Sequence, residues 1–458
     1  MNRVAAPPPL WRQLQVTAGV VASVRQGVSG TAALDGVEGA LRPGVQALVF
    51  HVLRHLGMAE ALRAQLAKRP PPPEGDALLC TALALAAPDA DARGMAYEAF
   101  TLVDQAVEAA KRNPRTRSQA NFINACLRRF LRERASLLSA VAADPVAAWN
   151  HPRWWIDRLR QDWPDDWQAI LRADNARAPM TLRVNLQRGT VAERQAALAH
   201  AGLAAQAVGA QGLMLDQARP VADIPGFAEG ALSVQDAAAQ WAAPLLLAGL
   251  DLSRPRRVRD ASAAPGGKTA HLLELLTDPV RGCAESRVVA LEIDPRRCQK
   301  IEDTLRREGL EARAQILTAD AARPGDWQQT PGAEGPFDAI LLDAPCTASG
   351  IVRRHPDIRW LRRASDIAQL AAVQAALLKA LWPLLAPGGR LLYCTCSVFP
   401  AEGRDQIQTF VTHNTDACLR PSPGHLKPQT RANDEAVPDN LKGDHDGFYY
   451  ALLEKRPA

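Results

Sequence analysis

The chain has 458 residues, 47% of them apolar and 22% charged, with 54 basic side chains against 49 acidic ones. That length holds two or three domains, each with its own core, and the composition is ordinary for a globular protein. A net charge of +5 is too mild to single out a nucleic-acid binder, so the placement of the charges carries more than their sum.

No run approaches the roughly 18 apolar residues of a membrane span. The first 34 residues carry Arg3, Arg12 and Arg25 without an acid, yet lack the ordered charge, apolar block and cleavage site of a secretory leader. A cytoplasmic protein is the expectation. The eight cysteines are scattered, with no C-x-x-C and no paired histidine spacing, so neither a metal site nor a disulfide framework is expected. Cys80, Cys126, Cys283, Cys298 and Cys418 read as small apolar side chains or incidental thiols.

Residues 10 to 137 read as helical, starting with a helix over Leu14 to Val28. Val45, Leu48, Val49, Val52, Leu53 and Leu56 keep the helical period. The run Arg69-Pro70-Pro71-Pro72-Pro73 must be a loop. A polar break from Lys111 to Arg117 leads into a helix over Asn121 to Leu131. Lys111, Arg112, Arg115, Arg117, Arg128, Arg129 and Arg132 form a basic patch without an acid. It is either a solvated helix face or a phosphate-contacting surface. The pattern weakens over 138–151, where Asp144-Pro145 and His151-Pro152 flank an expected linker. A small α+β connector follows over 152–232, with helix from Trp154 to Arg172 and an alternating strand from Thr181 to Leu186. From 233 to 458 strands alternate with helices, the sign of a doubly wound parallel sheet. The predicted strands are Arg256–Arg259, Arg287–Glu292, Ala314–Thr318, Ala339–Leu342 and Arg390–Thr395. The polar segment from Pro421 to Asp446 is expected to be a flap or a plain surface loop.

Between the first of these strands and its helix lies Asp260-Ala261-Ser262-Ala263-Ala264-Pro265-Gly266-Gly267-Lys268. The small residues and glycines let the backbone turn tightly and approach a ligand. The loop has neither the G-x-G-x-x-G spacing of a dinucleotide site nor the P-loop spacing. Glu292, at the end of the next strand, is placed to accept both hydroxyls of a ribose. Asp320, ending the third, is placed to bind an exocyclic amine. Ribose and adenine recognition without a pyrophosphate clamp points to S-adenosyl-L-methionine.

Asp260 to Thr269, Leu342-Asp343-Ala344-Pro345-Cys346, Thr395-Cys396-Ser397 and the run Gly350 to Trp360 together resemble the signature motifs of the Sun-type RNA cytosine-C5 methyltransferases. The resemblance spans nearly the whole chain. Asn121 to Arg129 is similar to the last helices of a NusB-like RNA-binding domain, an N-terminal addition typical of the RsmB-type bacterial enzymes. The implied architecture is an all-α NusB-like domain (1–137), a linker (138–151), the small α+β connector (152–232) and an α/β Rossmann-like class I methyltransferase domain (233–458). The implied partner is 16S rRNA, methylated at one cytosine, cytosine 967. No protein partner is implied, and a monomer is expected. Three departures stand out: Ser262 where the family often has Cys, Glu292 for a common Asp, and an extra thiol at Cys394.

The resemblance also assigns roles. Cytosine C5 is a poor nucleophile until a thiolate adds to C6, which makes the ring an enamine. The Thr-Cys-Ser frame selects Cys396 as that thiolate over Cys394, which strand spacing alone cannot exclude. Cys346 assists release of the enzyme from the ring. Asp343 serves the cytosine N3/N4 edge, the cofactor, or both. Ser262, Ala263, Ala264, Pro265, Gly266, Gly267, Lys268, Glu292, Asp320 and Asp343 form the expected cofactor site, with Lys268 supporting the loop or a phosphate. His355 reads as part of a turn, Arg353, Arg354 and Arg359 as phosphate contacts, and Trp360 as either a base-stacking ring or core. Three other readings remain open: an inactive RNA-binding assembly factor, a cytosine-C5 methyltransferase acting on another RNA, and a DNA-type enzyme in which Cys346 would be the nucleophile.

Overall fold

The structure is a computed structural model and describes residues 8–87, 97–428 and 444–457. It divides into two compact units. One comprises Met1–Arg177 with Val352–Ala364, the other Ala178–Ile351 with Ser365–Ala458.

The first unit is helical throughout its described residues. Its opening helix, Leu10–Arg25, buries Leu14, Val20, Val21 and Val24 along one stripe. Helices Arg42–Arg54, Leu56–Leu66, Pro73–Ala86, Ala99–Arg112 and Ala120–Arg132 surround a common core. The proline run ends at Pro73, which occupies the first turn of its helix, where a missing N–H costs nothing. All seven residues of the basic patch are exposed. The stretch expected as a linker is helical instead, over Arg134–Val141 and Pro145–Trp149. Asp144 caps the second of these and Asn150 ends it in the left-handed region, so the proline there starts a helix instead of breaking one. Helices Arg153–Asp162 and Trp167–Asn175, expected at the start of the connector, group with this unit.

Residues 352–364 also belong here, and they correct the expectation for the arginines. Arg353 and Arg359 are fully buried. Arg359 donates to the carbonyls of Asn150 at 3.1 Å and Asp174 at 2.7 Å. Neither guanidinium is available to RNA. Trp360 packs against the helical core and donates Nε1 to Leu53 O at 2.8 Å, so the packing role prevails over stacking. Arg354 is half-buried and His355 exposed.

The second unit holds two sheets. In the smaller, β1 (Met180–Val184), β2 (Ala205–Val208), β3 (Gly212–Leu215) and β4 (Leu232–Val234) lie in the order β2-β3-β1-β4, all antiparallel. The larger contains β5 (Arg257–Asp260), β6 (Arg287–Glu292), β7 (Ala314–Thr318), β8 (Phe337–Asp343), β9 (Leu385–Thr395), β10 (Ala417–Leu426) and β11 (Phe448–Lys455). Their order is β10-β11-β9-β8-β5-β6-β7. The five strands from β7 to β9 are parallel, and β11 and β10 add antiparallel at the edge.

Side chains alternate across this sheet with period two. Ala339, Leu341, Leu392 and Tyr450 face one core; Ile340, Leu342, Leu391 and Tyr449 face the other. Burial on both faces explains why these strands read as continuous apolar runs. The segment expected as a flap or surface loop is strand over its first residues, to Leu426, and paired with β11. Its part from 429 to 443 lies outside the described residues.

The helix Ala364–Leu381 needs a second correction. With the turn to Leu384 it is long and apolar enough to cross a membrane by length and composition, contrary to the sequence expectation. Its residues Leu377, Leu378 and Leu381 lie in the core of the second unit.

Candidate active site

The strand order reverses between β5 and β8, and their carboxyl ends open a crevice there, the usual ligand position in such sheets. The turn after β5 is pinned on both sides. Ala261 N donates to Leu341 O and Ala263 N to Leu291 O, each at 2.9 Å. Gly266 has φ +102°, and a Cβ there would meet Ile301 Cα at 3.1 Å, so only glycine closes the turn into helix Gly267–Leu276. Inside the turn, Asp260 is fully buried and accepts from Thr269 Oγ1 at 2.7 Å.

Burial raises the Asp260 carboxyl from 3.8 to about 6, against the opposing Thr269 hydrogen bond. The fold therefore holds this proton more tightly than the unfolded chain does. That contribution is complete below about pH 4 and is lost as pH rises through about 6. Asp260→Asn cannot ionise. Between about pH 4 and pH 7 the unfolding free energy of the parent, relative to this variant, should fall by about 2 kcal/mol in urea titrations. A difference that does not change with pH would refute the assignment.

A cavity of about 510 Å³ occupies the crevice. Of the predicted site residues, Ser262, Ala264, Glu292, Asp320, Asp343, Cys346 and Cys396 line it. Glu292 is buried; its Oε1 accepts from Asp294 N at 3.2 Å and pairs with Arg297 at 3.3 Å. Asp320 accepts from Ala322 N at 2.9 Å. Ala263, Pro265, Gly266 and Gly267 shape the turn without being part of the wall. Lys268 lies behind Asp343, its Nζ 2.6 Å from Oδ2. Burial alone would lower the ammonium's pKa, but Asp343 and the neighbouring thiols outweigh it and hold it above its ordinary value. Lys268 thus supports a carboxylate, where the sequence suggested the loop or a phosphate.

The three clustered thiols separate cleanly. Cys394, within β9, is fully buried; its Sγ lies 3.6 Å from Asp343 Oδ1, and burial pushes the thiol's pKa well up. Cys396, just past the end of β9, is half-buried on the cavity wall. Its Sγ is 3.5 Å from that of Cys346, which follows β8 by three residues. The hydrogen bond to Cys396, then burial, hold the Cys346 thiol well above its ordinary value. Two thiols and three carboxylates thus border one crevice.

Sequence reading missed part of the wall. Val373, Ala376 and Leu377 come from the helix Ala364–Leu381, and Ile293, 65% exposed, adds an apolar surface beside Glu292. Only an apolar residue directly after a strand-end acid hinted at Ile293. Among the described residues no group of three or more His, Cys, Asp or Glu side chains is placed to hold a metal.

Comparison with known proteins gives a consistent picture. The profile described as 16S rRNA methyltransferase RsmB/F matches residues 248–454, an RsmF/B-like ferredoxin-like domain matches 151–222, and the NusB family matches 25–132. The chain is 42% identical to ribosomal RNA small subunit methyltransferase B of Vibrio cholerae, over 79% of this chain and 78% of that protein. The solved protein PH0851 superposes with a TM-score of 0.70 over 97% of this chain and 99% of its own, at 23% identity, which bears on the fold. A methyltransferase homologue from Pyrococcus horikoshii superposes at 0.55 over 68% of this chain and 98% of its own, with 25% identity. The chain belongs to the RsmB/F family of 16S rRNA methyltransferases.

Proposed function

We propose that this protein converts one cytosine of 16S rRNA, cytosine 967, to 5-methylcytosine through a covalent adduct between Cys396 and C6, with S-adenosyl-L-methionine as methyl donor. The observation that carries this reading is the 3.5 Å approach of the Cys346 and Cys396 sulfurs on the wall of the cavity that Glu292 and Asp320 also line.

The residues fit the donor. The turn around Ser262 and Ala264 leaves room for backbone approach, Glu292 suits a ribose diol, Asp320 an exocyclic amine, and exposed Ile293 a purine face. When bound, S-adenosyl-L-methionine supplies an electrophilic methyl group to C5. All else falls to the chain. Asp343, steadied by Lys268, hydrogen-bonds the cytosine edge. Cys396 as thiolate adds to C6 and makes C5 nucleophilic. Cys346, as its thiolate, takes the proton from C5 as the Cys396–C6 bond breaks, which frees the methylated base, returns Cys396 as the thiolate and leaves Cys346 as the thiol. A cytosine reaching this crevice must leave its stack, so a flipped or single-stranded base is the substrate form. The exposed basic patch of the helical domain (1–137) engages rRNA phosphates, and the site of action is the cytoplasm.

The test is methyl transfer from labelled S-adenosyl-L-methionine to unmodified 16S rRNA, with the product base mapped. Label at one cytosine C5 is expected. Cys346→Ala should complete one methylation and then accumulate protein crosslinked to RNA, visible on a denaturing gel. If Cys346→Ala instead abolishes the adduct while Cys396→Ala keeps it, the roles are reversed and the DNA-type mechanism applies. Cofactor binding without label on any RNA would favour an assembly factor.

A further inference from the structure

The two thiols follow different strands, fifty residues apart in the chain. Chemistry that alternates between two sulfurs tolerates little drift in their separation; a misplacement of about 1 Å can cost roughly 100-fold in rate. The side chain that ties them together is absent from the cavity wall. Glu402 lies in the short turn Pro400–Glu402, is fully buried, and is bonded to the neighbours of both cysteines. Its Oε1 accepts from Thr347 N at 2.8 Å and its Oε2 from Thr347 Oγ1 at 2.5 Å. Oε2 also accepts from Ser397 Oγ at 2.6 Å, and Oε1 from Gln374 Nε2 at 3.3 Å. Thr347 follows Cys346, and Ser397 follows Cys396. The Glu402 carbonyl accepts from Tyr393 OH at 2.8 Å and Thr395 Oγ1 at 3.3 Å, binding the same turn to the end of β9.

We propose that Glu402 is a positioning residue that sets the separation of Cys346 and Cys396 by holding Thr347 and Ser397 on one carboxylate. The inference rests on the functional reading above. Its physical basis is that an ionised carboxylate is an acceptor only, so both hydroxyls must point their hydrogens at it and lose their rotational freedom. Burying a carboxylate is expensive, and burial indeed raises its pKa against the pull of the Ser397 and Thr347 hydrogen bonds. A merely space-filling role would not need a charged group there. Ser397 carries the constraint further, to Ser349 Oγ at 2.9 Å, and Ser349 in turn accepts from Val398 N at 2.9 Å. The loops that follow the two cysteines thus share one network.

The experiment uses the full chain and two readouts. The first is steady-state methylation with separate kcat and KM for S-adenosyl-L-methionine. The second, independent of RNA, is titration with phenylarsine oxide, whose trivalent arsenic bridges two thiols only when they are close. The parent should bind the arsenical through Cys346 and Cys396, shown by its loss in Cys346→Ser and Cys396→Ser. Glu402→Ala should lower kcat roughly 100-fold with KM for the cofactor unchanged, and weaken arsenical binding. Glu402→Gln, which keeps the shape and one acceptor, should recover most of both losses. Parental kcat and arsenical binding in a folded Glu402→Ala protein would overturn the proposal. So would a loss of stability and cofactor affinity with arsenical binding unchanged. If Glu402→Ala does not fold, Thr347→Val and Ser397→Ala each remove one arm, and parental values in both would be equally decisive against it. A parent that binds the arsenical through both thiols but methylates no RNA would sink the functional reading alone.

Discussion

Cys396→Ala should abolish methyl transfer, lowering the rate by roughly 10⁴- to 10⁶-fold, the range seen when a covalent nucleophile is removed from a site that otherwise stays intact. Cofactor affinity should be unchanged, because Glu292, Asp320 and the turn after β5 do not depend on this sulfur. Cys394→Ala is the informative control. It removes a thiol two residues away, on the same strand-end sequence, but one whose sulfur is buried against Asp343 and absent from the cavity wall. Its effect should be confined to a modest loss through packing. Rates of label incorporation under single-turnover conditions separate the two variants. Comparable losses in both, or a full first turnover in Cys396→Ala, would remove Cys396 from the role of nucleophile.

Arg183→Ala should destabilise the protein by about 3–5 kcal/mol, the cost of leaving a buried acid, Glu274, without its partner. Arg183 projects from β1 and is 1% exposed. It donates Nη1 to Glu274 Oε2, has Nη2 3.6 Å from Glu308 Oε2, and reaches the carbonyl of Gly267 at 3.4 Å. Both carboxylates are buried, and Glu308 is further held by Ser233 Oγ at 2.5 Å and Arg307 Nη2 at 2.7 Å. Without the guanidinium, two buried acids face one another; burial already raises the pKa of Glu274 while Arg183 opposes it. Urea unfolding checks the value. Arg183→Met combined with Glu274→Leu should recover much of the loss, since replacing the ions by apolar side chains removes the desolvation cost together with the attraction. A loss below about 1 kcal/mol in the single variant would mean that the cluster behaves like an exposed ion pair.

Where side chains face two cores, the sequence was legible. The predicted strands Arg287–Glu292 and Ala314–Thr318 match their observed bounds, and β8 and β9 only extend the predicted runs. Apolar runs bounded by turn residues leave few alternatives there. The site was legible for a related reason: its acids and thiols sit at strand ends, so finding the strands locates them. What could not be read was any feature that depends on long-range burial. Arg353 and Arg359 look like solvent-facing cations in a polar run, and it takes the carbonyls of Asn150 and Asp174 and the side-chain oxygen of Asn175, some two hundred residues away, to make the interior hospitable to Arg359. Glu402 was passed over because nothing local marks an acid in a Pro-Ala-Glu-Gly turn as the acceptor for Thr347 and Ser397. The membrane-like apolarity of Ala364–Leu384 is hidden for the opposite reason, since its few polar residues interrupt the run visually while leaving the stretch apolar on average.

The thirteen residues from Val352 to Ala364 belong with the helical unit although the chain on either side of them belongs to the catalytic one. The polypeptide therefore passes between the two units three times. A helical domain that could be gained or lost by simple end joining would need only one such passage. Cutting the gene after Arg177 would leave the helical part without the ring of Trp360 that packs against its core and without Arg359, whose guanidinium satisfies the carbonyls of Asn150 and Asp174. The catalytic part would keep those two side chains with nothing to enclose them. Neither half is a portable module, and a chimera that exchanges the helical part must carry this internal loop along with the N-terminal stretch.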